Sequence, residues 1–373
     1  MNRIEELLTI FRSAVVNPEG TATAVGNEFK GVVGIMPVYA PEEIVHAAGY
    51  LPVGIWGGQK SVSKAHTYLP PFACSIMQSV MELQLEGVYN QLDAIIFSVP
   101  CDTLKCMSQK WKGQAPSIVF THPQNRKLES ANQYLEMEYR IVAEKLEQLL
   151  NVRITDEALQ NSIKVYNENR QVMRLFTELV MDYPEIINPV NRHAVIKARY
   201  LMEKSTHTKL VRELIDLIRQ NPPVPWKGKR IVLTGITAEP EALLNIFEEN
   251  NLAVVADDLA QESRQFRHDI PEGENPYLRL ARWWQEHDGC SLALNPQKPR
   301  GDMLIDMVKQ ACADGVIVCM MKFCDPEEFD YPVYYQQLEA AGIPSLMIEI
   351  DQQTTSFEQV RTRIQSFSEV LEG

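Results

Sequence analysis

The feature that most constrains the fold of this chain is a series of short, continuously apolar runs, separated by segments with helical spacing. A strand that is covered on both faces is apolar throughout, whereas a half-buried strand alternates apolar and polar residues. Apolar runs that alternate with helices therefore predict parallel sheets packed between helices. The runs occupy residues 31–36, 52–56, 94–98 and 117–120 in the first half and residues 231–235, 252–256, 316–320 and 345–350 in the second.

The segments outside these runs predict how the chain is divided. Residues 2–17 have the spacing of one amphipathic helix, and helical patterns replace the apolar runs from about residue 125 to residue 220. Three prolines at residues 222, 223 and 225 cannot continue a helix and mark a boundary. A chain of 373 residues is long enough for two or three domains. We predict an N-terminal helix and lead-in at 1–30, a first α/β domain at 31–124, a helical region at 125–221 and a second α/β domain at 222–373.

The two halves repeat one local arrangement. A predicted strand runs into Cys101-Asp102 in the first half, another runs into Cys324-Asp325 in the second, and a polar helical stretch follows each pair. Open parallel sheets bind their ligands at the carboxyl ends of the strands, so both pairs lie at a ligand-binding edge. The predicted fold class is α/β, with two Rossmann-like parallel-sheet domains related by an internal repeat and an added helical layer. If the two sheets face one another, the cysteines converge.

Composition and charge exclude several classes of function. The net charge of −13 leaves no electrostatic basis for sequence-independent binding to nucleic acid. No run of 18 apolar residues is present, and the charged amphipathic start does not resemble a signal peptide, so we expect a cytoplasmic protein without membrane contact. Seven cysteines, an odd number, argue against a disulfide framework.

Common nucleotide and zinc motifs are absent from the sequence. It contains neither a GxGxxG fingerprint nor a GxxxxGK[ST] phosphate loop, so nucleotide chemistry requires another protein. The pairs Cys101/Cys106 and Cys319/Cys324 lack the further nearby ligands of a compact zinc site. The seven histidines are scattered, and we expect each to lie at the surface or to be a hydrogen-bonded core residue.

An iron–sulfur cluster fits the cysteines better, because thiolates from separate segments hold such clusters. Cys74 lies at a predicted helix start, where backbone N–H groups favour a thiolate. Cys101 and Cys324 follow strands, so for these three cysteines we favour ligation, whereas Cys312 lies in a helical run and is assigned to packing. Asp102 and Asp325 are expected to cap the following helices. Two interpretations remain open for a group of charged residues near the end of another predicted strand. They are either solvated charges or a functional polar cluster, and they comprise Asp257, Asp258, Glu262 and Arg264.

Longer motifs resemble the β subunits of the 2-hydroxyacyl-CoA dehydratases over essentially the whole chain. They are MPVYAPEE at 36–43, FACSIM at 72–77, PCDTL at 100–104, DDLAQE at 257–262, GCSLA at 289–293 and MMKFCDPEE at 320–328.

The resemblance implies an oxygen-sensitive heterodimer with a homologous α subunit, in which both subunits hold a [4Fe–4S] cluster on three cysteines, with a non-protein ligand on one iron. Position by position, the motifs assign the ligand role to Cys74, Cys101 and Cys324. The resemblance also implies an ATP-hydrolysing iron–sulfur activator that supplies one electron, and an acyl-CoA substrate bound mainly by the α subunit. The chain would then relay the electron, and no acid or base is assigned to it.

Two other families share part of this pattern. One builds a double-cubane [8Fe–9S] cluster on six cysteines and reduces small molecules, and Cys106, Cys290 and Cys319 would complete such a set. The other is the benzoyl-CoA reductase type, which shares the architecture. Iron content and the partner subunit distinguish these possibilities.

Overall fold

The computed structural model describes residues 2–16 and 29–372, and it consists of two four-stranded parallel sheets surrounded by helices. All eight apolar runs form strands. The strands of the first sheet are β1 (Val32–Ile35), β2 (Leu51–Gly54), β3 (Ala94–Val99) and β4 (Ser117–Thr121). Those of the second sheet are β5 (Lys229–Gly235), β6 (Leu252–Leu259), β7 (Gly315–Met321) and β8 (Ser345–Ile350).

Helices connect the strands and fill the middle of the chain. Those before and within the first α/β part are α1 (Arg3–Val16), α2 (Glu42–Ala47), α3 (Ser75–Leu85) and α4 (Asp102–Lys110). The middle of the chain holds α5 (Glu129–Leu150), α6 (Asp156–Glu178), α7 (Pro189–Ala198) and α8 (Lys204–Arg219). The second α/β part holds α9 (Glu241–Glu249), α10 (Pro276–Gln285), α11 (Arg300–Gln310), α12 (Asp325–Ala340) and α13 (Glu358–Glu372).

The two sheets have the same topology. Their strand orders are β2-β1-β3-β4 and β6-β5-β7-β8, and every neighbouring pair is parallel. The central strands β3 and β7 are buried along their whole length, as continuous apolar runs require, whereas the edge strand β4 alternates exposed and buried residues. The predicted fold class is therefore confirmed, and the matching strand orders support the internal repeat.

The helical layer packs on the N-terminal helix. Helix α1 contacts α7 and α8, and it buries Leu7, Leu8 and Phe11 in their apolar core. The predicted helix at 2–17 is thus confirmed over residues 3–16, while residues 17–28 of the predicted lead-in lie outside the described residues. The proline-containing segment after α8 holds neither helix nor strand before β5 begins at Lys229. The three boundaries between the four predicted segments remain predictions.

A single apolar cluster joins the two sheets. It includes Ile35 and Ile96 of the first sheet together with Leu233 and Ile317 of the second. Within the described residues, no helix is long and apolar enough to cross a membrane.

The assignment of Cys312 to helix packing was wrong. Helix α11 ends at Gln310, and Cys312 lies beyond it as an exposed residue with a positive φ of 45°. The sequence pattern of residues 308–313 is that of a helix, but the backbone leaves the helix after Gln310 and turns toward β7.

Candidate functional site

The three predicted ligand cysteines occupy equivalent positions in local structure. Cys74, Cys101 and Cys324 are the N-cap residues of α3, α4 and α12 respectively, and none of their side chains forms a capping hydrogen bond. The first turn of a helix has backbone N–H groups without intrahelical partners and carries a partial positive charge. Each sulfur therefore lies where an anionic group is stabilised.

The structure brings these three cysteines to one cavity of about 630 Å³. Cys101 follows β3 and Cys324 follows β7, so the cavity lies at the carboxyl ends of the central strands of both sheets. Cys74 reaches the same cavity from the start of α3. The predicted convergence of thiols from the two halves is thus present in the fold, because the same strand in each sheet leads to the same edge.

Burial controls the acidity of these thiols. It raises the pKa of Cys74 to about 12, and the amides of Ile76 and Met77 oppose that shift without cancelling it. Burial also raises the pKa of Cys101 and, further still, that of Cys324. The thiols are therefore protonated at neutral pH, and a metal must displace their protons in order to bind.

The donor set fits a cluster better than a single ion. Among the residues that the structure describes, no group of three or more His, Cys, Asp or Glu is arranged to hold one metal ion. A [4Fe–4S] cubane has its irons at separate corners, so each cysteine binds a different iron and the sulfurs are farther apart than the ligands of one ion. Three soft sulfur donors that line one cavity are the donor type that an iron–sulfur cluster takes.

The remaining cysteines divide into two groups. Cys290 lines the same cavity, where the Tyr39 hydroxyl donates a hydrogen bond to its Sγ at 2.9 Å and Arg264 Nη1 lies 3.5 Å away. Cys319 is buried within β7, Cys106 is exposed on α4, and neither lines the cavity. Four of the seven cysteines therefore face the cavity.

The capping roles expected for Asp102 and Asp325 were wrong. The cysteines take the N-cap positions, and each aspartate is the first residue of its helix. The side chain of Asp102 is almost fully exposed. The aspartates still place negative charge at the positive end of the helices, which stabilises the helix starts.

The polar cluster after β6 is buried, so the interpretation as solvated charge was wrong. Asp258 accepts hydrogen bonds from Arg264 at 2.9 Å, Arg267 at 2.6 Å and Arg300 at 3.1 Å. Burial alone would raise the pKa of Asp258, but the three guanidinium groups hold it well below its usual range. Asp257 and Glu262 pair in the same way with Arg192.

This network extends to the helix that begins at Cys324. Arg300 Nη2 donates to Glu327 at 2.8 Å, and the Ser291 hydroxyl donates to the other Glu327 oxygen at 2.6 Å. Glu327 lies in the first turn of α12, so these contacts fix the helix start that carries Cys324. Sequence reasoning missed Arg300 and Glu327, because their partners are far away in the chain and no local pattern connects them.

His122 is a third residue that the sequence did not single out. It directly follows β4, lines the cysteine cavity and is 5% exposed. Neither ring nitrogen has a well-aligned hydrogen-bond partner, although the backbone of Tyr39 approaches the ring. Burial lowers the pKa of His122 to about 3, and the imidazole is neutral. Its position after a strand was the signal that could have found it.

Comparison with known proteins gives the family. Residues 37–371 match the family model described as 2-hydroxyglutaryl-CoA dehydratase, D-component. The chain is 58% identical to the lactoyl-CoA dehydratase subunit beta of Anaerotignum propionicum, with 100% of both chains covered. It is 44% identical to the (R)-phenyllactyl-CoA dehydratase beta subunit of Clostridium sporogenes, again over 100% of both chains. It is also 26% identical to a benzoyl-CoA reductase subunit of Thauera aromatica, over 91% of this chain and 90% of the relative.

The family model covers most of the chain, and two full-length relatives at 44% identity or more are β subunits of dehydratases. The enzyme class predicted from the sequence, a hydro-lyase, is confirmed. This chain belongs to the 2-hydroxyacyl-CoA dehydratase family and is a β subunit of that family.

Proposed function

We propose that this chain is the β subunit of an iron–sulfur dehydratase that converts (R)-lactoyl-CoA to acryloyl-CoA together with a homologous α subunit. The full-length relative at 58% identity, named for lactoyl-CoA, supports the substrate class. The observation that carries the proposal is the meeting of three helix-capping cysteines, from both halves of the chain, at one cavity.

Cys74, Cys101 and Cys324 would hold a [4Fe–4S] cluster. When bound, the cluster supplies one-electron transfer, which in this proposal connects an ATP-hydrolysing iron–sulfur activator to the α subunit. One-electron chemistry suits the reaction, because the thioester carbonyl neither acidifies the β-proton nor favours loss of hydroxide from the α-carbon. The acyl-CoA would bind mainly to the α subunit, so this chain supplies no acid or base.

The residues around the cavity favour an anionic group. Three helix starts direct N–H groups toward the sulfurs. The nearby carboxylates act in the opposite sense, since the charges of Asp102 and Asp325 raise the pKa of Cys101 and the charge of Glu327 raises that of Cys324. The amides of the helix starts are therefore the groups in this chain that favour negative charge at the sulfurs.

Cysteine variants test the ligand assignment. We expect the wild-type chain, co-purified anaerobically with its α subunit, to carry about four irons, the number in one cubane. Cys74→Ala, Cys101→Ala and Cys324→Ala should each lose bound iron, because two thiols cannot retain the cluster. Iron is measured per chain after desalting, and circular dichroism checks folding.

Two matched variants control this experiment. Cys312→Ala removes an exposed thiol away from the cavity, and Cys290→Ala removes one that lines the cavity without capping a helix. Both should retain iron. Equal iron content in the three ligand variants and in Cys312→Ala would show that the ligand assignment is wrong.

Iron content and partner also distinguish the alternatives. About eight irons per chain in a homodimer would indicate a double cubane. The positions of Cys106 and Cys319 away from the cavity argue against six thiols around one cofactor. Similarity also favours the dehydratase over the benzoyl-CoA reductase type. The benzoyl-CoA reductase subunit is 26% identical to this chain, whereas the lactoyl-CoA dehydratase subunit is 58% identical.

A further inference from the structure

The helix that follows Cys324 lacks one of the backbone N–H groups that the helices after the other two cavity cysteines provide. The side chain of an N-cap residue faces the N–H groups of the second and third helical residues. After Cys74 these residues are Ile76 and Met77, and both amides oppose the rise in the pKa of Cys74 that burial causes. Two backbone donors therefore act on this sulfur.

The first half of the internal repeat gives Cys101 the same two donors. The second and third residues of α4 are Thr103 and Leu104, and their amides oppose the rise in the pKa of Cys101 that burial causes. The N–H of Thr103 has no intrahelical acceptor, because it belongs to the first turn of the helix. It is therefore free to face the sulfur.

Pro326 breaks this pattern in the second half. The sequence Cys-Asp-Thr at 101–103 is replaced by Cys-Asp-Pro at 324–326, and Pro326 is the second residue of α12. Proline has no backbone N–H. The amide of Glu327 opposes the rise in the pKa of Cys324 that burial causes, and the position before it offers no second donor.

The carboxylate of Glu327 acts on the same sulfur in the opposite sense to its amide. The side chain is fully buried, and Arg300 Nη2 at 2.8 Å and the Ser291 hydroxyl at 2.6 Å hold its two oxygens. After burial itself, its negative charge is the largest influence that raises the pKa of Cys324. Solvent screens a buried charge only weakly. Cys324 thus combines a missing donor with a buried negative charge.

Hydrogen bonds to the sulfurs are among the properties that set the reduction potential of an iron–sulfur cluster. A donor stabilises the added negative charge of the reduced state, so the absence of a donor lowers the potential. We propose that Pro326 keeps the reduction potential of the bound cluster low by leaving Cys324 with one backbone donor fewer than Cys74 and Cys101 have. A low potential suits an electron relay to an acyl thioester, which accepts an electron only from a strong reductant. This inference rests on the proposed function, because it requires the cluster on these three cysteines.

A redox titration followed by electron paramagnetic resonance tests the inference in the anaerobic complex with the α subunit. The signal that is lost in Cys324→Ala identifies the cluster of this chain. We expect Pro326→Ala, which restores an N–H, to favour the reduced state about tenfold, a rise of about 59 mV for one electron. Iron content should stay unchanged, because all three thiols remain.

The reciprocal variant is Thr103→Pro, which copies the second half of the repeat into the first. It removes an N–H beside Cys101 without breaking an intrahelical hydrogen bond, so we expect the potential to fall. Thr103→Ala is its matched control, since this change removes the hydroxyl and keeps the amide. Pro332→Ala is the control for Pro326→Ala, because Pro332 is exposed and lies further along the same helix. Both controls should keep the wild-type potential.

Three results would overturn the inference. They are a potential in Pro326→Ala that equals or falls below that of the wild type at full iron content, an equal rise in Pro332→Ala, and a rise in Thr103→Pro. Pro326→Ala decides the matter alone, since alanine is well tolerated in a helix. A wild type without iron would instead refute the proposed function, and iron analysis before the titration separates these two failures.

Discussion

Glu239 is a carboxylate that the fold buries almost completely, at 4% exposure. One of its oxygens faces His193 Nε2 at 3.3 Å and also contacts Lys197, while the other nitrogen of His193 contacts Glu262. Burial alone would raise the pKa of Glu239, but Lys197 and His193 lower it to about 2. An acid whose pKa is lowered by folding stabilises the native state above its unfolded pKa and loses that effect as the pH falls.

The pH dependence of stability should therefore change in Glu239→Gln. The ordinary pKa is 4.5, and the difference from about 2 corresponds to about 3 kcal/mol. That stabilisation is present above pH 4.5 and disappears between pH 4.5 and pH 2. We expect the variant to be about 3 kcal/mol less stable at pH 7 and to lose less stability on acidification, measured by urea unfolding at several pH values. The exposed Glu241→Gln is the control, and equal slopes for both variants would contradict the prediction.

The sequence predicted those site residues that carry a local signal and missed those that depend on distant partners. Cys74, Cys101 and Cys324 carried local signals, namely a helix start and two strand ends, and the structure places all three at the cavity. Arg300 and Glu327 gave no such signal, because a buried ion pair depends on residues that meet only in the folded chain. For the three cysteines, the position is observed, whereas the ligand role stays a prediction.

Strand β6 shows that long-range ion pairs also limit the prediction of where a strand ends. The apolar pattern ended the predicted strand at residue 256, yet β6 continues to Leu259 through Asp257 and Asp258. The two aspartates stay in a buried strand because arginines neutralise them. The ends of the other strands lie within two residues of the predicted bounds, because burial on both faces makes their apolar patterns unambiguous.

Gly235 ends β5 where two strands approach closely. Its φ is +140°, and a Cβ there would lie 2.2 Å from the carbonyl oxygen of Cys319, its register partner on β7. A backbone atom cannot move aside as a flexible side chain can, so no side chain fits at this position.

Gly235→Ala should therefore destabilise the protein by more than about 1 kcal/mol, because alanine brings both backbone strain and a clash. Urea unfolding measures the effect. Gly58→Ala is the matched control, since a Cβ at Gly58 has nothing within 4 Å. Equal stability of the two variants would show that the sheet relaxes freely around residue 235.

The two α/β halves share more than a topology. The apolar cluster that contains the first sheet also contains most of the core of the second. Tyr39 and Trp284 meet across the halves with ring centroids 4.9 Å apart, and Arg126 pairs with Asp288 at 2.7 Å. A core that spans both sheets couples their stabilities.

We expect the chain to unfold in one cooperative transition. Tryptophan fluorescence and far-ultraviolet circular dichroism should give coincident urea curves, the test of two-state behaviour. Trp284→Ala should shift both curves together by about 3–5 kcal/mol, because it removes a large buried side chain between the halves. Two separate transitions, or a shift of one probe only, would show that the halves unfold independently.

The contribution of both halves to one cavity has a consequence for biosynthesis. The ribosome releases the N-terminal half first, and domains generally begin to fold in that order. Cys74 and Cys101 then emerge long before Cys324, so a nascent chain presents only two of the three thiols. Under the proposed ligand assignment, loading of the cluster must follow translation of the second half, and a truncated chain that lacks Cys324 would bind iron less well than the finished subunit.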